Sequence, residues 1–199
     1  MGVNPALQAL RRPQIVEAAL KVIAEHGIQN TTLDLVANEA GMSKGGIVHY
    51  FSTKDELIKE AMVAFYGGIF KRGRETRDQF SHPLDKLLSF TWLYNRDDPD
   101  MFLGYGILYD FMAQASRNED FSRAFHDWVD NWIALLQEAI EEGVAMGAFT
   151  VSDPESIAKT VSAIYQGIAT RWYLAGNSHS TEWAVSSLKR AVTLLLTCE

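Results

Sequence analysis

Residues 31–54 read TTLDLVANEAGMSKGGIVHYFSTK, and the order of caps, apolar positions and glycines within them decides how the chain folds. Thr31 or Thr32 can cap a helix start, because a hydroxyl there accepts a backbone N–H, and Asp34 suits the positive end of the helix dipole. Leu33, Val36, Ala37 and Ala40 recur at three- and four-residue intervals, which gives a helix from about residue 33 one buried face. Gly41 supplies the left-handed residue that ends it. Ser43 is the next N-cap, and the span from Lys44 to Phe51 has room for two turns. Ile47 and Phe51, four apart, point inward, so Val48, His49 and Tyr50 must point partly outward.

A merely structural helix has little use for such an entrance. Gly45 and Gly46 each cost about 1 kcal/mol relative to Ala inside a helix. Without a Cβ, however, the first turn can approach a phosphate closely, and its N–H groups attract anions. Lys44 adds a positive charge beside it. Thr53-Lys54-Asp55-Glu56 has the spacing of a capping box that opens the next helix and sets Lys54 at a second N-terminus suited to a phosphate. Two short helices joined by a tight turn, with a third following at once, are a device for placing side chains in a DNA groove. The alternative is a packed helical protein that never meets DNA, with His49 and Tyr50 as half-buried surface residues and Tyr50 mainly packing.

The run TTLDLVANEAGMSKGGIVHYFSTKDEL resembles the helix-turn-helix of the tetracycline-repressor (TetR) family, and RRPQIVEAAL before it is similar to the betaine-regulator (BetI-like) branch. The likeness covers roughly residues 11–60. It implies a dimeric, all-helical regulator of about nine helices, usually a repressor released from its operator by a small molecule. Carried over position by position, it implies that Thr32, Ser43 and Lys54 touch phosphates, while Lys44, Gly45, Val48, His49 and Tyr50 form the groove-facing surface. Position 48 is often aromatic in the family. Val48 cannot hydrogen-bond a base edge, and a thymine methyl is its partner by chemistry.

At 199 residues and 47% hydrophobic content the chain can bury one large or two small cores. No apolar run approaches the length of a membrane helix, and MGVNPALQALRRPQ lacks the apolar centre of a signal peptide, so a cytoplasmic protein with no membrane partner is expected. The sole cysteine, Cys198, has no partner for a disulfide or metal cluster. The net charge of −7 is unevenly spread. Residues 1–80 hold ten Lys or Arg against nine Asp or Glu, and residues 81–199 hold eight against sixteen. Any affinity for DNA must therefore come from local placement of Arg11, Arg12, Lys44 and Lys54 rather than from a generally basic domain.

Residues 1–10 show no periodicity and are expected to begin as a flexible arm, which Arg11 and Arg12 could carry to the DNA backbone or minor groove; a solvated pair at a helix start is the alternative. Pro13 fits a first helical turn. Ile15, Ala18, Ala19, Val22, Ile23 and His26 then share one face until Gly27 ends the helix. After Lys54, Leu57, Ala61 and Phe65 continue helically and no proline intervenes before Pro83. One helix over 54–80 would be roughly 40 Å long. Gly67-Gly68 within it permits bending or close packing against a neighbour. Lys71, Arg72, Arg74 and Arg77 read most simply as a solvated face. Further helices are expected near 83–95, 98–116, 118–146, 153–175 and 180–197. The whole is all-α, with a helix-turn-helix head over 1–53, a connecting helix over 54–80 and a ligand-binding and dimerisation domain over 81–199.

The aromatic residues of the second part fall on helical stripes, which usually means core. Interspersed carboxylates point further, since aromatic faces plus a carboxylate hold organic cations. Trp92, Tyr105, Tyr109, Asp110, Trp128, Trp132, Tyr165 and Trp172 are the candidate ligand contacts, with an organic cation as the expected small-molecule effector. Ala158, Val161, Tyr165 and Ile168, with Trp183, Ser187, Val192 and Leu195, are the candidate homodimer contacts, closure of the monomer core being the alternative. A ligand-responsive repressor of operator DNA is the first reading. An effector-independent architectural factor or a small helical metal-dependent enzyme is the second. The five histidines form no metal-binding repeat and no serine sits in a nucleophile elbow, so no enzyme, metal or cofactor is expected; His126 with Asp130 has only the i, i+4 spacing of two ligands.

Overall fold

The computed structural model describes residues 5–197, with side chains from Leu10 onward. Nine α-helices hold most of the described residues, and none of these residues is in a strand. The chain divides into two compact units, one comprising residues up to Gly68 together with Leu103–His126, the other Ile69–Phe102 and the chain from Asp127 onward.

The first unit is built on α1 (Pro5–Asn30), α2 (Leu33–Glu39), α3 (Lys44–Tyr50) and the start of α4 (Lys54–Arg77). Helix α1 packs on α2 and α2 on α3. Ile15, Ala19 and Ile23 of α1, Val36 of α2, Ile47 and Phe51 of α3 and its end, and Leu57, Ile58, Ala61 and Met62 of α4 are buried together as its core. Helix α1 starts at Pro5, earlier than expected at Pro13. An interior proline removes a backbone donor and crowds the carbonyl four residues back, and the strong helix formers of the run Ala6 to Leu10 carry the helix upstream of it. The flexible arm expected over residues 1–10 is therefore helical from Pro5; residues 1–4 and Cys198 lie outside the described residues. Gly27, at φ +73°, breaks the regular course of α1 as its sequence position suggested.

The remaining helices are α5 (Pro83–Leu88), continued by a 3-10 stretch (Ser89–Tyr94), then α6 (Pro99–Ala115), α7 (Glu119–Ala145), α8 (Pro154–Leu174) and α9 (Thr181–Thr197). The expected single helix over 83–95 tightens at Ser89, whose hydroxyl donates to Lys86 O at 2.8 Å, and Phe90 takes φ −85°, ψ 16°. Such hydroxyl-to-backbone bonds compete with the α-helical ladder.

The second unit packs α8 on α9 and both on the 3-10 stretch. Two tyrosines and a threonine satisfy its interior. Tyr94 donates to Tyr165 O at 3.2 Å, Tyr165 to Leu87 O at 2.7 Å, and Thr181 to Tyr94 O at 2.7 Å while accepting the Trp172 indole N–H at 3.1 Å. Burial raises the Tyr165 phenol far above its ordinary value, so it stays neutral and donating. Ala158, Val161, Tyr165 and Val192, expected as dimer contacts, are buried within the single chain. Periodicity finds an apolar face but does not say which partner covers it. The exposed positions of α8 include the small residues Thr160, Ala163 and Gly167 beside the charged Lys159 and Arg171, ending at Leu174; α9 exposes Ser186, Thr193 and Leu194 beside Lys189 and Arg190.

Of the basic cluster at the end of α4, Lys71, Arg72 and Arg74 are exposed as expected, and Arg77 is not. Arg77 bonds to Glu138, Asp78 and Leu135 O, and its side chain is mostly covered. Gly67 and Gly68 lie on an exposed face of unbroken α4, and a Cβ at either would meet nothing in the chain. Close packing within the chain is thus not their reason. No helix among the described residues is long and apolar enough to cross a membrane.

Candidate nucleic-acid interface

Helices α2 and α3 are set by the caps read from the sequence. Thr32, not Thr31, caps α2, its hydroxyl accepting from Leu35 N at 3.2 Å. Thr31 is buried and donates to Gly27 O at 2.9 Å. Gly41, at φ +63°, lets Met42 N reach Ala37 O at 2.8 Å and so closes α2. Ser43 caps α3, its hydroxyl oxygen accepting from Gly46 N at 3.1 Å. Both cap hydroxyls keep a proton to donate outward and both residues are exposed.

Helix α3 turns two residue classes to opposite sides. Ile47 and Phe51 are fully buried, and Val48, His49 and Gly45 are exposed, with Tyr50 intermediate. The His49 and Tyr50 rings meet edge to face with centroids 5.2 Å apart, so each limits the other's freedom. A Cβ built at Gly45 would meet nothing within 4 Å, and no positive φ requires glycine there. Nothing inside the protein explains that residue.

The charges nearby are partly committed. Lys44 Nζ lies 2.7 Å from Asp34 Oδ2, with both side chains about as exposed as each other. Such a surface pair contributes little and is readily exchanged for another anion. Lys54 Nζ donates to Gln29 O at 3.1 Å, which ties the start of α4 to the end of α1 and leaves two of its three protons for an outside acceptor. Arg12 has a structural task that its sequence position hid. It bonds to both carboxylate oxygens of Glu60, donates to Tyr50 O at 2.8 Å, and lies over the Phe51 ring at 4.3 Å. It thereby clamps the C-terminal end of α3 against α1 and α4. Arg11 bonds to Gln14 one turn on.

The expected capping box is shifted by one residue. Thr53 accepts from Glu56 N at 3.1 Å, but Glu56 returns to the N–H and hydroxyl of Ser52, each at 2.9 Å. The Ser52 backbone bond, then its hydroxyl bond, hold the Glu56 carboxyl below its ordinary range.

The eight residues expected to touch ligand fall in both units and most have identified neighbours. Asp110 accepts from Ile28 N at 2.9 Å, capping the turn that follows the break at Gly27 within α1. Tyr105 is buried and stacks near Tyr109 with centroids 6.3 Å apart. Trp132 is buried against Phe90 at 4.8 Å, and Tyr165 and Trp172 belong to the polar core described above. Trp92 carries the Arg72 guanidinium over its ring at 4.1 Å, and Trp128 is half-buried. Among the described residues no group of three or more His, Cys, Asp or Glu could hold a metal ion.

Two family profiles match this chain: that of bacterial regulatory proteins, tetR family, over residues 15–61, and that of the BetI-type transcriptional repressor C-terminal part over residues 105–197. The HTH-type transcriptional repressor KstR2 of Mycolicibacterium smegmatis is 25% identical over 187 residues, 90% of this chain and 87% of its own. A solved structure described as a TetR-family transcriptional regulator from Rhodococcus sp. superposes with a TM-score of 0.78 at 26% identity, covering 94% of this chain and 98% of that one. A transcriptional regulator from Saccharomonospora viridis, solved in complex with choline, shares the fold with a TM-score of 0.83 at 19% identity, over 93% of this chain and 96% of its own.

Proposed function

Because the chain belongs to the TetR family of bacterial regulatory proteins, we propose that α3 enters the major groove of operator DNA with Lys44, Gly45, Val48, His49 and Tyr50 towards the bases, and that Thr32, Ser43 and Lys54 hold phosphates. The protein is a DNA-binding transcriptional regulator, of the type whose relatives are named repressors, and not an enzyme. Gly45 carries the docking proposal. An exposed helical glycine with open space about its Cβ weakens its own helix for no internal reason, and close approach of a duplex supplies one.

The test is binding of the full chain to DNA flanking its own gene, followed by fluorescence anisotropy at several salt concentrations. Gly45→Glu should abolish specific binding through bulk and charge. Lys44→Ala should lower affinity for the operator more than for unrelated DNA, as the loss of a base contact does. If both variants bind as the parent does, α3 is not the reading surface.

Regulators of this family bind operator DNA as dimers and answer to small molecules. For this chain we divide those tasks as head 1–53, connecting helix 54–80 and effector and dimer domain 81–199, working in the cytoplasm. The effector is an organic cation in this reading. The choline complex of the Saccharomonospora viridis protein supports it, as does the seating of guanidinium groups over Trp92 and Trp172 in the second unit. Such a ligand would release the operator by binding better to the conformation that DNA does not accept, and only by that difference in affinity.

A further inference from the structure

The second unit already contains a cation on an aromatic face, and it is one of the chain's own. The Arg72 guanidinium of α4 lies 4.1 Å from the centroid of the Trp92 ring, and its Nη2 is 3.6 Å from Asp98 Oδ2. Three separate segments converge there: α4, the 3-10 stretch and the turn before α6. An indole face beside a carboxylate is the chemistry that recognises ammonium and guanidinium ligands.

A second guanidinium in the same unit shows the contrast. Arg96 lies 4.7 Å over Trp172, but it also donates to the carbonyl of Trp172 near the end of α8 and to those of Gly176 and His179 beyond it. It is locked. Arg72 makes no side-chain hydrogen bond among the described residues, and its side chain remains 46% exposed against 22% for Asp98. Asp98 itself is fixed, because its other oxygen accepts from Asp100 N at 3.1 Å. Asp98 is therefore fixed in place while Arg72 is loosely held.

We propose that Trp92 and Asp98 form a subsite for a small organic cation, and that Arg72 occupies it until that cation displaces it. The exchange replaces one positive charge by another, so the Asp98 carboxylate is never left uncompensated. This rests on the reading of the effector as a cation, and it adds that α4 competes for the ligand's place.

Calorimetric titration of the full chain with choline, and with its neutral isostere 3,3-dimethylbutan-1-ol, tests it. Arg72→Ala removes the competitor and should tighten choline binding by about 3–30-fold, the range a partly desolvated cation–π contact gives, without helping the isostere. In the Arg72→Ala background, Trp92→Leu and Asp98→Asn should each reverse the gain. Asp98→Asn retains an oxygen to cap α6, and Trp92→Tyr should keep part of the affinity if Trp92→Leu does not fold. If the parent binds choline and Arg72→Ala binds it equally or more weakly, the subsite is wrong and a cationic effector binds elsewhere. If neither folded protein, checked by circular dichroism, binds choline, the subsite and the cationic reading fall together.

Discussion

Gly73 and Gly143 are glycine for the protein's own sake. A Cβ at Gly73 would lie 2.7 Å from Trp132, and one at Gly143 would lie 2.1 Å from Phe149. Gly143→Ala should accordingly lower unfolding free energy by about 1–3 kcal/mol, as overpacking does, with a matching fall in Tm by calorimetry. Gly45 has no such constraint, which is why its identity points outside the molecule. Arg12 makes the opposite case, a charged residue beside α3 that is held by the protein itself. Arg12→Ala leaves Tyr50 O and Glu60 without their donor and should cost about 1–2 kcal/mol in chemical denaturation. Arg12→Lys should recover little, because one ammonium cannot meet Glu60 and the Tyr50 carbonyl in the same fork geometry. Equal stability of Arg12→Ala and the parent would show that the clamp is decorative.

At the scale of elements, the helix ends were legible wherever their signals were local. Thr32, Gly41 and Ser43 announce caps within four residues of the groups they satisfy. The ties between elements were not legible: Arg12 meets Glu60 across 48 positions and Ile28 meets Asp110 across 82, and no local pattern marks either pair. Asp110 shows the consequence: its Oδ2 accepts from the Ile28 N–H, a tie that its place among aromatics in the sequence does not announce. Asp110→Ala should cost about 1.5–3 kcal/mol as a backbone donor loses a charged acceptor, while Asp110→Asn should retain much of that; denaturation curves separate the two. The start of α4 has its own signature in pH. Glu56 titrates below its ordinary value when folded, so it adds stability at pH values above that ordinary range, and the contribution disappears as pH falls through the depressed value. Glu56→Gln should flatten that acid limb of the stability profile, and an unchanged limb would remove Glu56 from the account.

For the whole molecule, the all-helical class and the head were readable because periodicity and caps agree. The outer faces of α8 and α9 were not, because the residues that look most apolar close the chain's own core. We propose that the part of this surface around Thr160, Ala163 and Gly167 meets a second copy of the chain. Gly167, whose Cβ position is open, is the sensitive point: Gly167→Arg should leave the helical content intact and convert a dimer to a monomer in light scattering, with operator affinity falling as the paired heads separate. The claim on which the account turns is that α3 gives up helix stability to lie against a duplex. Gly45→Ala measures it from both sides in one protein. Chemical denaturation should show a gain of about 0.5–1 kcal/mol, while anisotropy on the operator fragment shows weaker binding. A variant that is more stable and binds DNA as tightly as the parent would contradict it.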